Sequence, residues 1–168
     1  ADLPTLGDTP MVVVCAGAKS ILDLPATLER LETYSVPVVG YQTEVFPAFY
    51  ARSSGLPVPM RADSPREVVE IARTHWAMGM PSAVLVVVPP PAEVALPDDE
   101  MEQAVSRALQ EAHAQGITGQ AVTPFLLSRV GELTEGRSLR ANLGLLLNNA
   151  RVAAQIAAAF PDVGRKVV

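Results

Sequence analysis

The sequence of 168 residues has a single cysteine, few aromatic residues and no excess of positive charge. A lone cysteine, Cys15, excludes an intramolecular disulfide and suits a reducing compartment. Aromatic residues make up 5% of the chain and the formal net charge is −5. The chain therefore lacks the stacking platforms and the basic field that nucleic-acid binding requires. We expect small-molecule or protein partners, and no nucleic acid.

Long apolar runs are also missing, since none reaches the roughly 18 residues that a membrane-spanning helix needs. The first stretch, ADLPTLGDTP, has neither the basic end nor the apolar centre of a signal peptide. We therefore expect no membrane partner and a cytoplasmic location, or an organelle in a eukaryotic source. The hydrophobic fraction of 49%, with 18% charged residues, is typical of a globular protein.

Apolar runs and helical spacing alternate along the chain. The runs at residues 12–15, 36–43 and 83–88 are typical of strands buried on both faces, and helices are predicted over 21–33, 64–78, 98–115 and 138–160, with another from Thr123. Such alternation with short connections predicts βαβ units. We expect one α/β domain over residues 1–168. Its expected architecture is a three-layer α/β/α arrangement with a largely parallel sheet, closed by C-terminal helices.

Lys19, in the stretch VVVCAGAKSILD, is the sharpest candidate for chemistry. It follows a predicted buried strand, and open parallel sheets place their ligands beyond the carboxyl ends of the strands. Small uncharged neighbours would dehydrate the ammonium and favour the neutral amine, which attacks carbonyls. A solvated lysine at a helix start explains the residue equally well. An ATP or GTP loop does not, because Val13 and Ala18 stand where that pattern needs glycines.

Amides and histidines are weaker candidates. Asn142, Asn148 and Asn149 lie in an otherwise apolar helical stretch, SLRANLGLLLNNA. An amide offers both a donor and an acceptor, which suits the edge of a nucleobase, although a buried hydrogen bond explains such residues as well. His75 and His113 fall on separate predicted helices without metal-ligand spacing, and we interpret each as an ordinary helix histidine.

Several stretches together resemble the C-terminal half to two-thirds of one family, the pseudouridine-5′-phosphate glycosidases, also called indigoidine synthase A-like proteins. The stretches are VVVCAGAKSILD, LETYSVPVVGYQTEVFPAFYARSSGLPVP, DSPREV, AVTPFLL and SLRANLGLLLNNARVAAQIA, within residues 12–159. The resemblance implies a three-layer α/β/α fold and a homotrimer. It also implies hydrolysis of the C–C glycosidic bond of pseudouridine 5′-phosphate to uracil and ribose 5-phosphate, with a divalent metal, usually manganese.

The resemblance also assigns roles to residues of this chain. Lys19 matches the nucleophile that forms a Schiff base with the opened ribose, an electron sink for the cleavage. Asp2, in ADL, matches an aspartate that contacts the substrate and assists ring opening or proton transfer. Asn142 matches an asparagine that contacts uracil. The proton-donating glutamate, a phosphate-contacting lysine and the metal ligand of the family lie upstream of ADL, so we expect no metal ligand within this chain.

Two expectations and two alternatives follow from this pattern. The upstream half of the same protein should be a partner, and the 168 residues alone should lack turnover. A non-catalytic subunit that binds a sugar phosphate is an alternative, and it would need no imine at Lys19. A Schiff-base aldolase or lyase of sugar phosphates would share Lys19, but it would not need Asn142 near a base.

Overall fold

Four parallel strands form one sheet at the centre of the computed structural model, which describes residues 2–19 and 22–160. The strands are β1 (Val12–Cys15), β2 (Val38–Tyr41), β3 (Met60–Ala62) and β4 (Val84–Val87), and they lie in the order β1-β4-β2-β3. The last strand in sequence is therefore inside the sheet, between β1 and β2. All four residues of β4 are buried, as its continuous apolar run predicts for a parallel strand covered on both faces.

Helices cover both faces of this sheet. They are α1 (Asp2–Asp8), α2 (Leu24–Thr33), α3 (Pro65–Ala77), α4 (Asp98–Ala114), α5 (Val122–Leu133) and α6 (Arg137–Ala159), with a 3-10 turn at Gly119–Ala121 before α5. The three-layer α/β arrangement with a parallel sheet and closing C-terminal helices is confirmed. In the described part of the chain, no helix combines the length and the apolar character needed to cross a bilayer.

Three apolar clusters hold the layers together. On one face, α3 and the C-terminal half of α6 pack on alternate residues of the strands, such as Val84 and Val86. On the other face, α1 and α2 pack on the intervening residues, such as Leu85 and Val87. A third cluster joins α4, α5 and the start of α6 beside the sheet. The period of two along β4 thus divides its side chains between two covered faces.

The direction of α6 follows from its C-terminal end. The ring of Phe160, just after α6, stacks on Trp76 with ring centroids 6.4 Å apart. The Trp76 indole donates a hydrogen bond of 3.0 Å to the carbonyl of Ser82, just before β4 begins. The C-terminal end of α6 therefore lies where the strands start. Its N-terminal half extends past their carboxyl ends, and this geometry positions the cleft described below.

Start signals in the sequence account for two helices. The helix predicted over 64–78 begins with a capping box, because Ser64 Oγ accepts from the Glu67 amide at 3.3 Å and the Glu67 carboxylate accepts from the Asp63 amide at 2.8 Å. Asp23 caps α2, with its carboxylate accepting from the Ala26 amide at 3.0 Å. With this cap, α2 begins at Leu24, whereas the sequence predicts a start three residues earlier, at residue 21. Residue 21 lies outside the described residues.

Two elements were missed by the sequence pattern. The strand β3 has three residues, of which only Ala62 is buried, so it carries no periodic signal. Helix α1 contains Pro4 and Gly7, both poor helix formers, and owes its conformation to tertiary contacts. Leu3 and Leu6 pack on the α1/α2 face, and the Leu6 carbonyl accepts from the Ala83 amide at 2.7 Å.

The prediction that residues 12–15 are buried on both faces holds in part, because helices pack on both faces of the strand but its outer edge is open. β1 is an edge strand, and all four of its residues are only half-buried. The order of strands explains the difference, because β4 returns to the sheet between β1 and β2 and leaves β1 outside. An apolar run typical of a sheet interior therefore lies at an open edge.

The histidine His75 is structural, in agreement with its interpretation as an ordinary helix histidine. It is buried, and its Nε2 lies 2.8 Å from Ser82 Oγ. Ser82 Oγ donates its own hydrogen to the Ser35 carbonyl at 2.5 Å, so His75 Nε2 must be the donor to Ser82. These bonds tie α3 to the residues that precede β2 and β4.

Adjacent leucines on α6 provide a test of this packing. Leu145 is 1% exposed and Leu146 is 53% exposed, so the same truncation samples both sides of one helix. We expect Leu145→Ala to lower the free energy of unfolding by about 2–5 kcal/mol, because it leaves a cavity in the core. The matched control Leu146→Ala should change it by less than about 0.5 kcal/mol. Urea unfolding followed by circular dichroism measures both values, and equal losses would contradict the orientation of α6.

Candidate active site

The loop after β1 carries Lys19 and is fastened to the segment that follows β2. Ala16 is 1% exposed, and its carbonyl accepts a hydrogen bond of 3.0 Å from the amide of Phe49. Gly17 forms an antiparallel bridge with Ala48. Two main-chain contacts therefore hold the first residues of the loop against a neighbouring segment, and the position of Lys19 is set by backbone pairing.

Gly17 is required at this contact for two reasons. Its φ of +79° lies in the left-handed region, which side chains other than glycine rarely adopt. A Cβ atom at Gly17 would also lie 1.8 Å from the carbonyl oxygen of Pro47. The opposing segment is strained as well, because Phe49 has a φ of 67° although it is not glycine. Close approach of the two backbones thus depends on the absence of a side chain at residue 17.

Lys19 itself is half-buried at the carboxyl edge of the sheet. Its carbonyl accepts from the Leu22 amide at 2.9 Å, which turns the chain toward α2. No described side chain forms an ion pair or a hydrogen bond with its ammonium group. The preceding Ala18 packs with the apolar cluster on the α1/α2 face. Lys19 therefore follows an apolar segment of the chain and lies at the carboxyl edge of the sheet, where parallel sheets bind their ligands.

The thiol of Cys15, at the end of β1, is poorly hydrated. It packs in the cluster of the α1/α2 face, and burial raises its pKa from 9.0 to about 11, although a hydrogen bond with the Gly17 backbone opposes the shift. A thiol with such a pKa is protonated at neutral pH and is a poor nucleophile. Of the two reactive side chains in this stretch, the lysine is therefore the better candidate.

The other two predicted site residues lie on different elements. Asn142 is half-buried near the start of α6, beyond the carboxyl edge of the sheet. Asp2 is exposed at the first residue of α1. Among the described residues, no hydrogen bond or ion pair joins Asp2, Lys19 and Asn142. The three roles that the resemblance assigns to them remain predictions.

The family resemblance implies a divalent metal, but the described residues offer no site for one. Within residues 2–19 and 22–160, no group of three histidine, cysteine or carboxylate side chains lies close enough to hold a metal ion. Divalent ions such as manganese need several such ligands. The described part of this chain therefore does not fit the implied metal by itself.

A cleft of about 740 Å³ opens at the same edge of the sheet, on the side of α6. Gln42 follows β2, Pro89 follows β4, and the polar side chains of α6 form the facing wall. The polar and charged lining residues are Tyr41, Gln42, Arg52, Glu93, Asn148, Arg151 and Gln155. Neither Lys19 nor Asn142 nor Asp2 is among the lining residues. The cleft is thus a second polar feature at this edge, on the opposite face from Cys15 and Ala18.

Two guanidinium groups in this cleft have no carboxylate partner among the described residues. Arg52 donates to the Pro90 carbonyl at 2.5 Å, and Arg151 donates to Asn148 Oδ1 at 2.8 Å. Four arginines elsewhere in the structure, namely Arg61, Arg107, Arg129 and Arg137, form ion pairs with carboxylates. The positive charge of Arg52 and Arg151 is therefore opposed in the cleft only by the nearby Glu93.

The sequence pattern did not identify the cleft. Arg52 reaches Pro90 across 38 positions of sequence, and such a contact has no local signal. Asn148 was one of three ambiguous amides, and the structure assigns it to the cleft wall. The neighbouring Asn149 has a buried Oδ1 atom to which no described residue donates a hydrogen bond. The position of Pro89 directly after the run predicted over 83–88 is the one usable signal, because Gln42 falls inside the run predicted over 36–43.

A parallel sheet with helices on both faces and polar groups at its carboxyl edge defines an α/β protein whose ligand sites lie at that edge. Comparison with known proteins refines this class. Residues 1–159 match the family described as Indigoidine synthase A like protein, and the chain belongs to that family.

Curated relatives share about half of their residues with this chain over the matched length. A protein of Gemmatimonas aurantiaca named pseudouridine-5′-phosphate glycosidase is 57% identical over 162 residues, which are 96% of this chain and 53% of the relative. A protein of the same name from Caldanaerobacter subterraneus subsp. tengcongensis is 52% identical over 157 residues, which are 94% of this chain and 51% of the relative.

Solved structures agree with the fold. The prealnumycin C-glycosynthase AlnA, crystallised in complex with ribulose 5-phosphate, superposes with a TM-score of 0.88 at 39% identity over 94% of this chain and 52% of that chain. An indigoidine synthase A (IdgA)-like protein from Thermotoga maritima superposes with a TM-score of 0.82 at 40% identity over 93% of this chain and 51% of that chain. The chain thus spans about half the length of the relatives that it matches.

Two glycines provide a matched test of the loop that holds Lys19. Gly17 and Gly55 both have a positive φ, but a Cβ at Gly55 would meet no atom within 4 Å. Gly55→Ala should therefore cost only the strain of left-handed backbone, about 1–2 kcal/mol of unfolding free energy. Gly17→Ala must also displace the Pro47 backbone, and we expect a further loss of about 1–3 kcal/mol. Urea unfolding measures both losses, and equal losses would show that the close approach to Pro47 is absent.

Proposed function

We propose that this chain carries the nucleophilic lysine of an enzyme that cleaves the C–C glycosidic bond of pseudouridine 5′-phosphate to uracil and ribose 5-phosphate. Family membership supports the proposal, as do the names of the curated relatives and the ribulose 5-phosphate complex of a C-glycosynthase neighbour. The observation that carries it is the half-buried Lys19 on a fastened loop at the carboxyl edge of the sheet.

The setting of Lys19 suits an amine nucleophile. Attack on carbon requires the neutral amine, and no described carboxylate forms an ion pair with Lys19. Lys19 is half-buried, and the residues before it, Ala16 and Ala18, are small and apolar. The contacts of Ala16 and Gly17 restrict the backbone beside the lysine, so less freedom is lost when the amine meets its target.

The chemistry explains why a lysine is needed for this bond. A C–C glycosidic bond has no leaving oxygen that can simply be protonated. In the proposed reaction, the Lys19 nitrogen bonds to C1′ in place of the ring oxygen, which takes a proton as the ribose opens. A general acid then protonates the ring carbon of uracil, the electrons of the C–C bond remain with uracil, and the nitrogen lone pair forms an iminium at C1′. Water hydrolyses the iminium to the aldehyde of ribose 5-phosphate and returns the amine.

Other groups are assigned by the same proposal. Asp2 would assist ring opening or proton transfer, and Asn142 would hydrogen-bond the uracil edge with its amide. The general acid and the ligands of a divalent metal, which we propose to be manganese, would come from outside the described residues. We further propose a homotrimer in the cytoplasm, a location that suits the lone thiol of Cys15.

The cleft favours a second candidate, a subunit that binds a sugar phosphate without chemistry. Arg52 and Arg151 line it and are hydrogen-bonded to neutral acceptors, and guanidinium groups bind phosphate well. Such a subunit would bind ribose 5-phosphate through Arg151 and would not require Lys19. The two candidates therefore predict opposite effects of a change at residue 19.

Reductive trapping of an imine tests the proposal. Ribose 5-phosphate and borohydride should convert the imine at Lys19 to a stable secondary amine, which peptide mass spectrometry locates. The chain contains only one other lysine, Lys166, which serves as an internal control. We expect the adduct at Lys19 to exceed that at Lys166 at least about 10-fold, and to disappear in Lys19→Arg, which keeps the charge.

The contrary result is equally well defined. Equal labelling of both lysines, or labelling of the N-terminal amine alone, would reject Lys19 as the nucleophile. Titration calorimetry with ribose 5-phosphate then tests the second candidate. Binding that survives Lys19→Arg but falls at least about 10-fold in Arg151→Ala would favour the non-catalytic subunit.

A further inference from the structure

Backbone strain is found at two kinds of place in the structure. Four described residues other than glycine have a positive φ, namely Ser35, Gln42, Phe49 and Glu135. Ser35 and Glu135 follow α2 and α5 and complete the hydrogen-bonded ends of these helices, where one left-handed residue is usual. Gln42 and Phe49 end no helix. Both lie in the segment after β2, at the carboxyl edge of the sheet.

Phe49 is an unusual residue for the turn in which it lies. The Ala48 amide donates to the Ala51 carbonyl at 3.1 Å across this turn, so Phe49 and Tyr50 are its two central residues. A positive φ at the first central residue alone is typical of a II′ turn, in which that residue is normally glycine. Glycine would satisfy the same backbone, so the turn itself gives no reason for a phenylalanine.

The ring of Phe49 lies outside the core. It is half-buried, yet it belongs to none of the three apolar clusters that the described residues form. Its aromatic neighbour is Tyr50, with ring centroids 4.8 Å apart and ring planes at 79°. An edge contact of this kind leaves much of an aromatic surface available. Core packing therefore does not account for the strained backbone, and strain of this kind is typical of functional sites.

One side of the turn contacts the loop that carries Lys19. The Phe49 amide donates to the Ala16 carbonyl at 3.0 Å, and Lys19 follows Ala16 by three residues. Three residues of extended chain span at most about 11 Å. The ring of Phe49 and the amine of Lys19 are therefore close enough for one small ligand to contact both.

The other side of the turn contacts the start of α6. Tyr50 packs against the cluster of α4, α5 and α6, and this cluster contains Ala141. Ala141 directly precedes Asn142, which the family resemblance assigns to uracil. The turn of Phe49 and Tyr50 is thus the part of the structure that lies between the lysine loop and the helix start with Asn142.

We propose that the ring of Phe49 stacks on the base of the substrate, between Lys19 and Asn142. The inference rests on the proposed function, in which Lys19 bonds to the sugar and Asn142 hydrogen-bonds the edge of uracil. An amide at the edge of a base fixes its rotation within the plane, whereas an aromatic ring on its face fixes the plane and excludes water. Phe49 then determines specificity for a planar base and does not contact the sugar phosphate.

Affinities for the sugar with and without its base test this role. The probes are ribose 5-phosphate and pseudouridine 5′-phosphate, and titration calorimetry measures their dissociation constants. Phe49→Gly keeps the left-handed backbone and the amide but removes the ring. We expect it to weaken binding of pseudouridine 5′-phosphate at least about 5-fold, the low end for stacking of one base, and to change the affinity for ribose 5-phosphate less than about 2-fold.

Two variants serve as controls. Phe49→Tyr keeps an aromatic ring and should bind pseudouridine 5′-phosphate within about 2-fold of the unchanged chain. Ser35→Gly relaxes a left-handed residue at the amino edge of the sheet, just before β2, and should alter neither affinity. The circular dichroism spectrum of each variant should match that of the unchanged chain, which shows that the fold is kept.

Other outcomes would overturn the proposal. Equal weakening of both probes by Phe49→Gly would show that Phe49 only supports the loop. An unchanged affinity for pseudouridine 5′-phosphate in Phe49→Gly, or equal affinity of the unchanged chain for the two probes, would show that no base stacks on this ring. Failure of the proposed function has a different signature, because ribose 5-phosphate and borohydride would then label Lys19 no more than Lys166.

Discussion

β4 pairs with β1 on one side and with β2 on the other. This pairing determines where the loops after these three strands begin. Val87, the last residue of β4, lies opposite Cys15, the last residue of β1, and opposite Gly40, one residue before β2 ends, so the three strands end within one residue of each other. The loop that carries Lys19 begins at that edge, and so do the residues after β2 and β4 that line the cleft. This register depends on the complete burial of β4, whose side chains alternate between the two covered faces. Without this register, residues distant in sequence would not meet at the carboxyl edge of the sheet.

The edge carries two polar features on different faces, and neither is complete in itself. Lys19 lies on the α1/α2 side, on a loop that is held by the close contact between the backbones of Gly17 and Pro47. Arg52 and Arg151 line the cleft beside α6. The proposed chemistry needs an acid and metal ligands that the described residues do not supply. Both features lie at the carboxyl edge of the sheet, beyond strands that end within one residue of each other.

Local signals predicted the parts of the fold that depend on local physics. The apolar runs predicted β2 and β4, and helical spacing predicted α3, which Ser64 caps in the structure. The edge position of β1, the short β3 and the helix α1 depend on contacts far apart in sequence, and no residue pattern encoded them. Lys19 was found because it follows a strand. The cleft was missed because the contact of Arg52 with Pro90 exists only in the folded chain.

Release of uracil from pseudouridine 5′-phosphate tests the central claim most directly. The measurement uses the chain co-expressed with the part of the Gemmatimonas aurantiaca relative that this chain does not match, with product followed by chromatography. Our account predicts uracil and ribose 5-phosphate in equal amounts, and a rate at least about 10³-fold lower in Lys19→Arg, because the nucleophile is removed while its charge is kept. Undiminished release by Lys19→Arg, or cleavage of the sugar without free uracil, would contradict it.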